Sequence, residues 1–118
     1  MTGIACLYSD DQKLRFEHIV ENVDKIDLYV EGLSFEAYAA NQMIVDAVER
    51  CLARITEAAI KVGAEGMALA APDQPFEQIR GLGNILRHAY DVVDPEIVWR
   101  TVKERLPALR DACAKALG

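Results

Sequence analysis

The sequence has few of the residues that build metal centres or disulfide frameworks. Its 118 residues include only three cysteines and two histidines. Cys6, Cys51 and Cys113 are far apart in the chain and form no Cys-x-x-Cys pair. This dispersed set excludes a zinc-ligand motif and a disulfide framework. We therefore expect buried or free thiols, no metal site and no cofactor.

Long apolar runs are also absent. The longest stretches without a charged residue are nine residues each, at positions 1–9 and 37–45, whereas a membrane span needs about 20. The N-terminus lacks the basic region and the apolar region of a secretory signal. We therefore expect a cytoplasmic protein with no membrane segment. The length and the 52% content of hydrophobic residues indicate one globular domain over residues 1–118.

The chain has no excess of basic residues. Thirteen Lys and Arg stand against 19 Asp and Glu, for a net charge of −6. This balance is unfavourable for binding nucleic acid over a broad surface. Residues 1–77 carry 6 basic and 14 acidic side chains, whereas residues 78–118 carry 7 basic and 5 acidic ones. We therefore expect any RNA binding to be limited to one small cleft in the C-terminal part.

Apolar residues recur at helical spacing over most of the chain. The pattern predicts four helices, over residues 9–32, 34–62, 75–91 and 94–118. It also predicts a loop at residues 63–75 and a short extended arm at residues 3–8. Ser9 and Gln12 have the spacing of a capping box, and Pro107 predicts a kink or break in the last helix. The predicted fold is all-α, an antiparallel bundle of four to five helices.

Residues 79–94 read IRGLGNILRHAYDVVD, which is unusual for an amphipathic helix. At 100° per residue, one face carries the apolar residues expected in the core, namely Leu82, Ile85, Leu86, Ala89 and Val93. A polar stripe lies on the opposite face and consists of Arg80, Asn84, Arg87, His88 and Asp91. Two glycines, Gly81 and Gly83, flank this stripe. Tyr90 lies at its boundary with the core face.

The polar stripe has two interpretations. It contains no Lys or Glu, and each flanking glycine costs about 1 kcal/mol relative to alanine inside a helix. These features favour a functional or interface stripe that another backbone or a ligand approaches closely. The alternative is a solvated surface, in which Arg87 and Asp91 form an ordinary i, i+4 pair.

The stripe contains groups that can cleave RNA without a metal ion. Histidine exchanges protons near neutral pH, so His88 is the candidate acid or base. Arg80 and Arg87 can bind and neutralise a phosphate, and Asn84 can position it. In this chemistry the ribose 2′-hydroxyl supplies the nucleophile. A hydrogen-bonded structural histidine is the alternative for His88, and we expect His18 to be structural.

Three segments together resemble the HepT-like proteins of the HEPN superfamily. They read YVEGLSFEAYAAN, DAVERCLARITEAAIKV and GLGNILRHAYDVVDPEIVWRTVKERLPALR, and the resemblance extends over about residues 25–110. It implies a helical bundle that dimerises, with the polar motifs of both chains facing a shared cleft. It also implies a metal-independent ribonuclease that is the toxin of a toxin–antitoxin pair. The implied antitoxin is a minimal nucleotidyltransferase, which silences the toxin by transferring AMP to the tyrosine of the motif.

The motif of this family is an arginine, four residues, a histidine, one residue and a tyrosine. His88 and Tyr90 match it, and Asn84 matches the family's asparagine, but Gly83 stands at the arginine position. Arg80, one turn before Asn84, is a candidate to place a guanidinium in a similar region. Three functions stay open: a ribonuclease toxin, a non-catalytic partner of a nucleotidyltransferase that presents Tyr90, and a structural dimer with a polar interface.

Overall fold

The computed structural model describes residues 7–88 and 93–118, which form seven α-helices. They are α1 (Asp10–Val30), α2 (Phe35–Ala39), α3 (Gln42–Val62), α4 (Ala64–Ala70), α5 (Phe76–His88), α6 (Pro95–Glu104) and α7 (Leu106–Leu117). No strand occurs within these two ranges, so the predicted all-α bundle is confirmed. Most of the extended arm predicted at residues 3–8 lies outside them. None of the helices described is long and apolar enough to cross a membrane.

Helices α1 and α3 form the centre of the bundle and pack against each other most extensively. The predicted capping box is present, since Ser9 Oγ accepts from the Gln12 amide at 3.0 Å and Gln12 Oε1 accepts from the Ser9 amide at 3.0 Å. Gln12 Nε2 also donates to the carbonyl of Val62 at 3.1 Å. This bond joins the start of α1 to the end of α3, so the two helices are antiparallel.

The predicted apolar faces of α1 and α3 are confirmed. Each predicted position on these two faces is buried, and the set comprises Phe16, Ile19, Val23, Ile26, Val30, Val45, Val48, Leu52, Ile55, Ala59 and Val62. Cys51 and Cys113 are buried free thiols, as expected. Cys6 lies outside the residues that the structure describes.

The single helix predicted over residues 34–62 is wrong, because α2 ends at Ala39 and α3 begins at Gln42. Ser34 caps α2, as predicted, by accepting from the Ala37 amide at 3.1 Å. Asn41 caps α3 by accepting from the Ile44 amide at 3.2 Å. An asparagine side chain competes with the helical backbone for such bonds. Asn41 therefore starts a second helix instead of continuing the first.

The loop predicted at residues 63–75 is also wrong, because it contains the helix α4. Gly63 ends α3 at a φ of 94°, a conformation that glycine adopts without strain. The residues that follow are good helix formers, namely several alanines, Glu65, Met67 and Leu69. Gly66 is buried, and a Cβ at this position would lie 2.8 Å from Gln12 Nε2.

The C-terminal helices begin and break where the sequence predicts. Asp94 caps α6 by accepting from the Glu96 amide at 2.9 Å. The predicted break is present as a change from α6 to α7 at Arg105, two residues before Pro107. Arg110 of α7 donates two hydrogen bonds to Asp24 of α1, to Oδ1 at 2.7 Å and to Oδ2 at 3.1 Å.

Candidate functional site

Helix α5 packs against α3 and carries most of the polar stripe at the surface. Arg80, Asn84, Arg87 and His88 are exposed. The predicted core face is partly wrong. Leu82, Leu86 and Val93 are half-buried against the core, but Ile85 is 50% exposed. Ala89 lies outside the described residues.

The buried position of α5 is Gly83, which faces Thr56 of α3. A Cβ on Gly83 would lie 2.9 Å from Thr56 Oγ1 and 3.1 Å from Thr56 Cβ. Thr56 has little freedom to move, because it is buried and its hydroxyl donates to the Ala53 carbonyl at 2.9 Å. The close approach predicted from the two glycines is thus present at Gly83. It is wrong for Gly81, where a Cβ would have no neighbouring heavy atom within 4 Å in the described part of the chain.

The guanidinium of Arg87 is held between α5 and α3. Its Nη2 donates to Asn84 Oδ1 at 2.7 Å, and its Nη1 lies 3.9 Å from Glu57 Oε1. Nη1 also lies 3.5 Å from the place that a Gly83 Cβ would occupy. The side chain is 38% exposed, which leaves part of the guanidinium open to a ligand.

Arg80 has a different environment. Its guanidinium lies 3.6 Å from Glu77 on the same helix, and both side chains are more than half exposed. Arg87 is therefore the arginine of the stripe that contacts Asn84 and the neighbouring helix. The expectation that Arg80 places its guanidinium in this region is not supported by these contacts.

His88 is the last residue of α5 and directly follows Arg87. Its side chain is exposed and accessible to a substrate. Tyr90 and Asp91 lie outside the described residues, so the predicted Arg87–Asp91 pair and the role of Tyr90 stay predictions. Among residues 7–88 and 93–118, no group of three or more His, Cys, Asp or Glu side chains could hold a metal ion.

A groove that was not predicted from the sequence lies between α1 and α3 and has a volume of about 520 Å³. We call it the basic groove. Its charged and polar lining comes from three helices and consists of Arg15, His18, Asn22, Lys25, Arg50, Arg54, Glu57, Lys61 and Arg87. Five of the six basic residues of positions 1–77 are in this set. The segment with the larger acidic excess thus supplies most of the basic residues of the groove.

The residues of the basic groove have a regular spacing in the sequence. Arg15, His18, Asn22 and Lys25 are spaced three and four residues apart on α1. Arg50, Arg54, Glu57 and Lys61 repeat this spacing on α3, so each set forms one stripe. The net charge of residues 1–77 conceals these stripes, because 13 of the 14 acidic residues in this segment do not line the groove. His18, which we expected to be structural, belongs to the groove lining.

Comparison with known proteins assigns the family. Residues 19–116 match the family described as Ribonuclease HepT-like. The chain belongs to this family. It is 31% identical to "Putative RNase MJ1216" of Methanocaldococcus jannaschii over 107 residues, which cover 91% of this chain and 88% of that protein. It is also 31% identical to "Probable ribonuclease HepT" of Thermococcus cleftensis over 94 residues, covering 80% and 84% of the two chains. No solved structure matches it.

In this HepT-like chain, the position at which the family motif has an arginine is occupied by Gly83, which packs against α3. Gly83 has no room for a side chain beside Thr56, whereas Arg87 brings a guanidinium to the same part of the surface. An exposed imidazole follows it directly at His88. Guanidinium groups stabilise phosphate charge and imidazole groups transfer protons. Arg87 and His88 thus place one side chain of each kind at the C-terminal end of α5.

Proposed function

We propose that this HepT-like protein is an endoribonuclease that cleaves RNA without a metal ion. The observation that carries the proposal is the position of the Arg87 guanidinium, which contacts Asn84 and Glu57. His88 is the next residue in the sequence, and its side chain is exposed. Arg87 also lines the basic groove, where a polyanionic substrate finds several cations. The ribonuclease names of the relatives support RNA as the substrate.

The proposed reaction uses a nucleophile that RNA itself provides. His88 accepts the proton of a ribose 2′-hydroxyl, and the 2′ oxygen attacks the adjacent phosphorus. The bond from phosphorus to the 5′ oxygen breaks, and this oxygen leaves with a proton from the second His88 of a homodimer. The products carry a 2′,3′-cyclic phosphate and a 5′-hydroxyl. Arg87 stabilises the charge that develops on the phosphate oxygens, and Asn84 holds Arg87 in place.

Cleavage of a defined RNA in EDTA tests this proposal. We expect the wild-type protein to cut a fluorescently labelled single-stranded RNA, and we expect His88→Ala to lose at least 100-fold in rate, since general acid–base catalysis contributes about 10²–10⁴-fold. Lys103→Ala, on the exposed side of α6, is the control that retains activity. Intact RNA after incubation with the wild-type protein would refute the proposal.

We further propose that the ribonuclease is the toxin of a cytoplasmic toxin–antitoxin pair and acts as a homodimer. The antitoxin is a minimal nucleotidyltransferase, and Tyr90 is the residue to which it transfers AMP. Incubation with a minimal nucleotidyltransferase and ATP should add one or more AMP units to the mass of this protein. The Tyr90→Phe variant should gain none. An equal gain in this variant would exclude Tyr90 as the acceptor.

A second candidate function is a non-catalytic partner of the nucleotidyltransferase. The burial of Gly83 favours it, because the expected motif arginine has no place there. This candidate predicts a stable complex and transfer of AMP to Tyr90, but no RNA cleavage by the free protein. A purely structural dimer predicts instead that His88→Ala changes assembly and no activity. Light scattering together with the cleavage assay separates these outcomes.

A further inference from the structure

We propose that the basic groove binds the sugar–phosphate backbone of single-stranded RNA across α1 and α3. The identity of the ligand rests on the proposed ribonuclease function, whereas the groove itself rests on the positions of its side chains. The groove carries six Lys and Arg side chains and a single acidic one, Glu57. The groove is therefore positively charged, although the whole chain has a net charge of −6. Such a local excess of positive charge attracts a polyanion.

Most of the cations in the groove are available to a ligand. Lys25, Arg50, Arg54 and Lys61 are exposed, and none of them forms an ion pair within residues 7–88 and 93–118. Outside the groove, by contrast, Arg80, Arg100 and Arg110 each pair with a carboxylate. The groove thus brings four basic side chains that form no such ion pair to one surface. Lys13, Lys103, Arg105 and Lys115 likewise form none among the described residues, but they do not line the groove.

The groove has the length of several nucleotides. Ten residues separate Arg15 from Lys25 on α1, which corresponds to about 15 Å at 1.5 Å per residue. Because α1 and α3 are antiparallel, Arg15 and Lys61 lie towards one end and Lys25 and Arg50 towards the other. Glu57 lies between these ends and contacts Arg87. A strand that follows the groove therefore passes the α5 site.

Asn22 adds a polar side chain to the wall of the groove. Its side chain is only 6% exposed and lines the groove. Its Nδ2 donates to the His18 carbonyl at 2.8 Å, whereas its Oδ1 has no hydrogen-bond partner among the described residues. A buried acceptor without a donor is destabilising.

Binding of a non-cleavable RNA tests the proposal without relying on catalysis. The probe is a fluorescently labelled single-stranded RNA with 2′-O-methyl riboses, which lack the nucleophile. Its affinity is measured by fluorescence anisotropy at several KCl concentrations. The groove variant is Arg50→Gln/Arg54→Gln. The matched control, Arg100→Gln/Lys103→Gln, removes the same charge from exposed positions on α6, and circular dichroism verifies that both variants fold.

We expect the groove variant to bind at least 10-fold more weakly than the wild type, and the control variant to bind within twofold of it. The slope of log affinity against log salt should become shallower by about 1.4 in the groove variant, since each phosphate contact on a single strand contributes about 0.7. Equal affinities and slopes for the two variants would overturn the proposal. If the groove variant instead loses the nucleotidyltransferase and retains RNA, the groove is a protein-binding surface and the proposal is wrong.

The failure of this proposal can be distinguished from the failure of the ribonuclease function. Groove-dependent binding without any cleavage by the wild-type protein supports the groove and refutes the ribonuclease. Cleavage that depends on His88 but is insensitive to Arg50→Gln/Arg54→Gln supports the ribonuclease and refutes the groove. Where both hold, the groove variant should raise KM and leave kcat nearly unchanged, because it removes binding that substrate and transition state share.

Discussion

Gly83 lies so close to Thr56 that a Cβ at position 83 would come within 2.9 Å of the threonine hydroxyl oxygen. The same position lies 3.5 Å from Arg87 Nη1. The close packing of α5 on α3 therefore leaves no space for an arginine at position 83. The guanidinium of Arg87 lies beside this position instead. This relationship links the stability of the bundle to the composition of the site.

The two glycines of α5 should respond in opposite ways to the same substitution. Gly81→Ala should stabilise the protein by about 0.5–1 kcal/mol, because alanine is the better helix former and the space is open. Gly83→Ala should destabilise it by about 1–2 kcal/mol, because overpacking costs about 1–3 kcal/mol and exceeds the helical gain. Urea unfolding of the wild type and the two variants measures both changes.

Removing the threonine hydroxyl checks the cause of this difference. Thr56→Ala deletes the oxygen that a Cβ at position 83 would approach most closely. Gly83→Ala should therefore cost less in a Thr56→Ala background than in the wild type, as measured by a double-mutant cycle. Equal costs in the two backgrounds would show that the contact with Thr56 is not the reason.

The two arginines of the stripe should differ in their effect on RNA cleavage. Arg87→Ala should lower the rate by about 10²-fold, in the range for losing one group that stabilises developing charge. Arg80→Ala should lower it less than threefold, because Arg80 pairs with Glu77 in the exposed first turns of α5. Initial rates on one RNA at fixed salt measure both. A larger loss for Arg80→Ala would reverse the assignment.

Tyr38 should tolerate loss of its hydroxyl. The residue is fully buried with its ring 5.1 Å from that of Trp99, and the hydroxyl has no hydrogen-bond partner within the described part of the chain. Burial and, to a lesser extent, the nearby Glu49 raise the pKa of Tyr38 to about 12. Tyr38→Phe should leave the free energy of unfolding unchanged or raise it by about 1 kcal/mol, because an unpaired buried polar group is destabilising. Tyr38→Ala should cost about 3–5 kcal/mol, since it also removes the packed ring.

The contact between Arg110 and Asp24 should make stability dependent on pH in the acid range. The hydrogen bond from Arg110 lowers the pKa of Asp24 below its ordinary value of 3.8. Ionised Asp24 therefore stabilises the folded protein above pH 3.8, and this stabilisation is lost as the pH falls through the lower, folded-state pKa. The difference in urea midpoint between wild type and Asp24→Asn should be present at pH 7 and become smaller as the pH falls below 3.8. A difference that stays constant with pH would contradict this.

Residues whose role is set by local pattern could be predicted from the sequence. The Ser9–Gln12 capping box, the Asp94 cap and the break near Pro107 depend on neighbours within one helical turn, and all are present. The apolar faces of α1 and α3 follow directly from helical spacing. Asn41 has the same local character and caps α3, which the single helix predicted over residues 34–62 leaves out.

Features that depend on two helices at once could not be predicted. Gly83 is buried because it packs against Thr56 on another helix. With Gly83 facing α3, Ile85 is exposed to solvent. The basic groove likewise needs the stripes of α1 and α3 to lie side by side. Charge counted along the chain cannot reveal it, because the acidic residues outside the groove lining offset the total. The predicted stripe residues Arg80, Asn84, Arg87 and His88 are at the surface, but only the structure shows that Arg87 is the one bound to Asn84.

The central claim is that His88 transfers protons in metal-independent cleavage of RNA beside Arg87. The most direct measurement is the rate of cleavage of a single-stranded RNA in EDTA by the wild type, by His88→Ala and by the control Lys103→Ala, with the ends of the products identified by mass spectrometry. The account predicts 2′,3′-cyclic phosphate ends and at least a 100-fold loss of rate in His88→Ala alone. Equal rates for wild type and His88→Ala would contradict it.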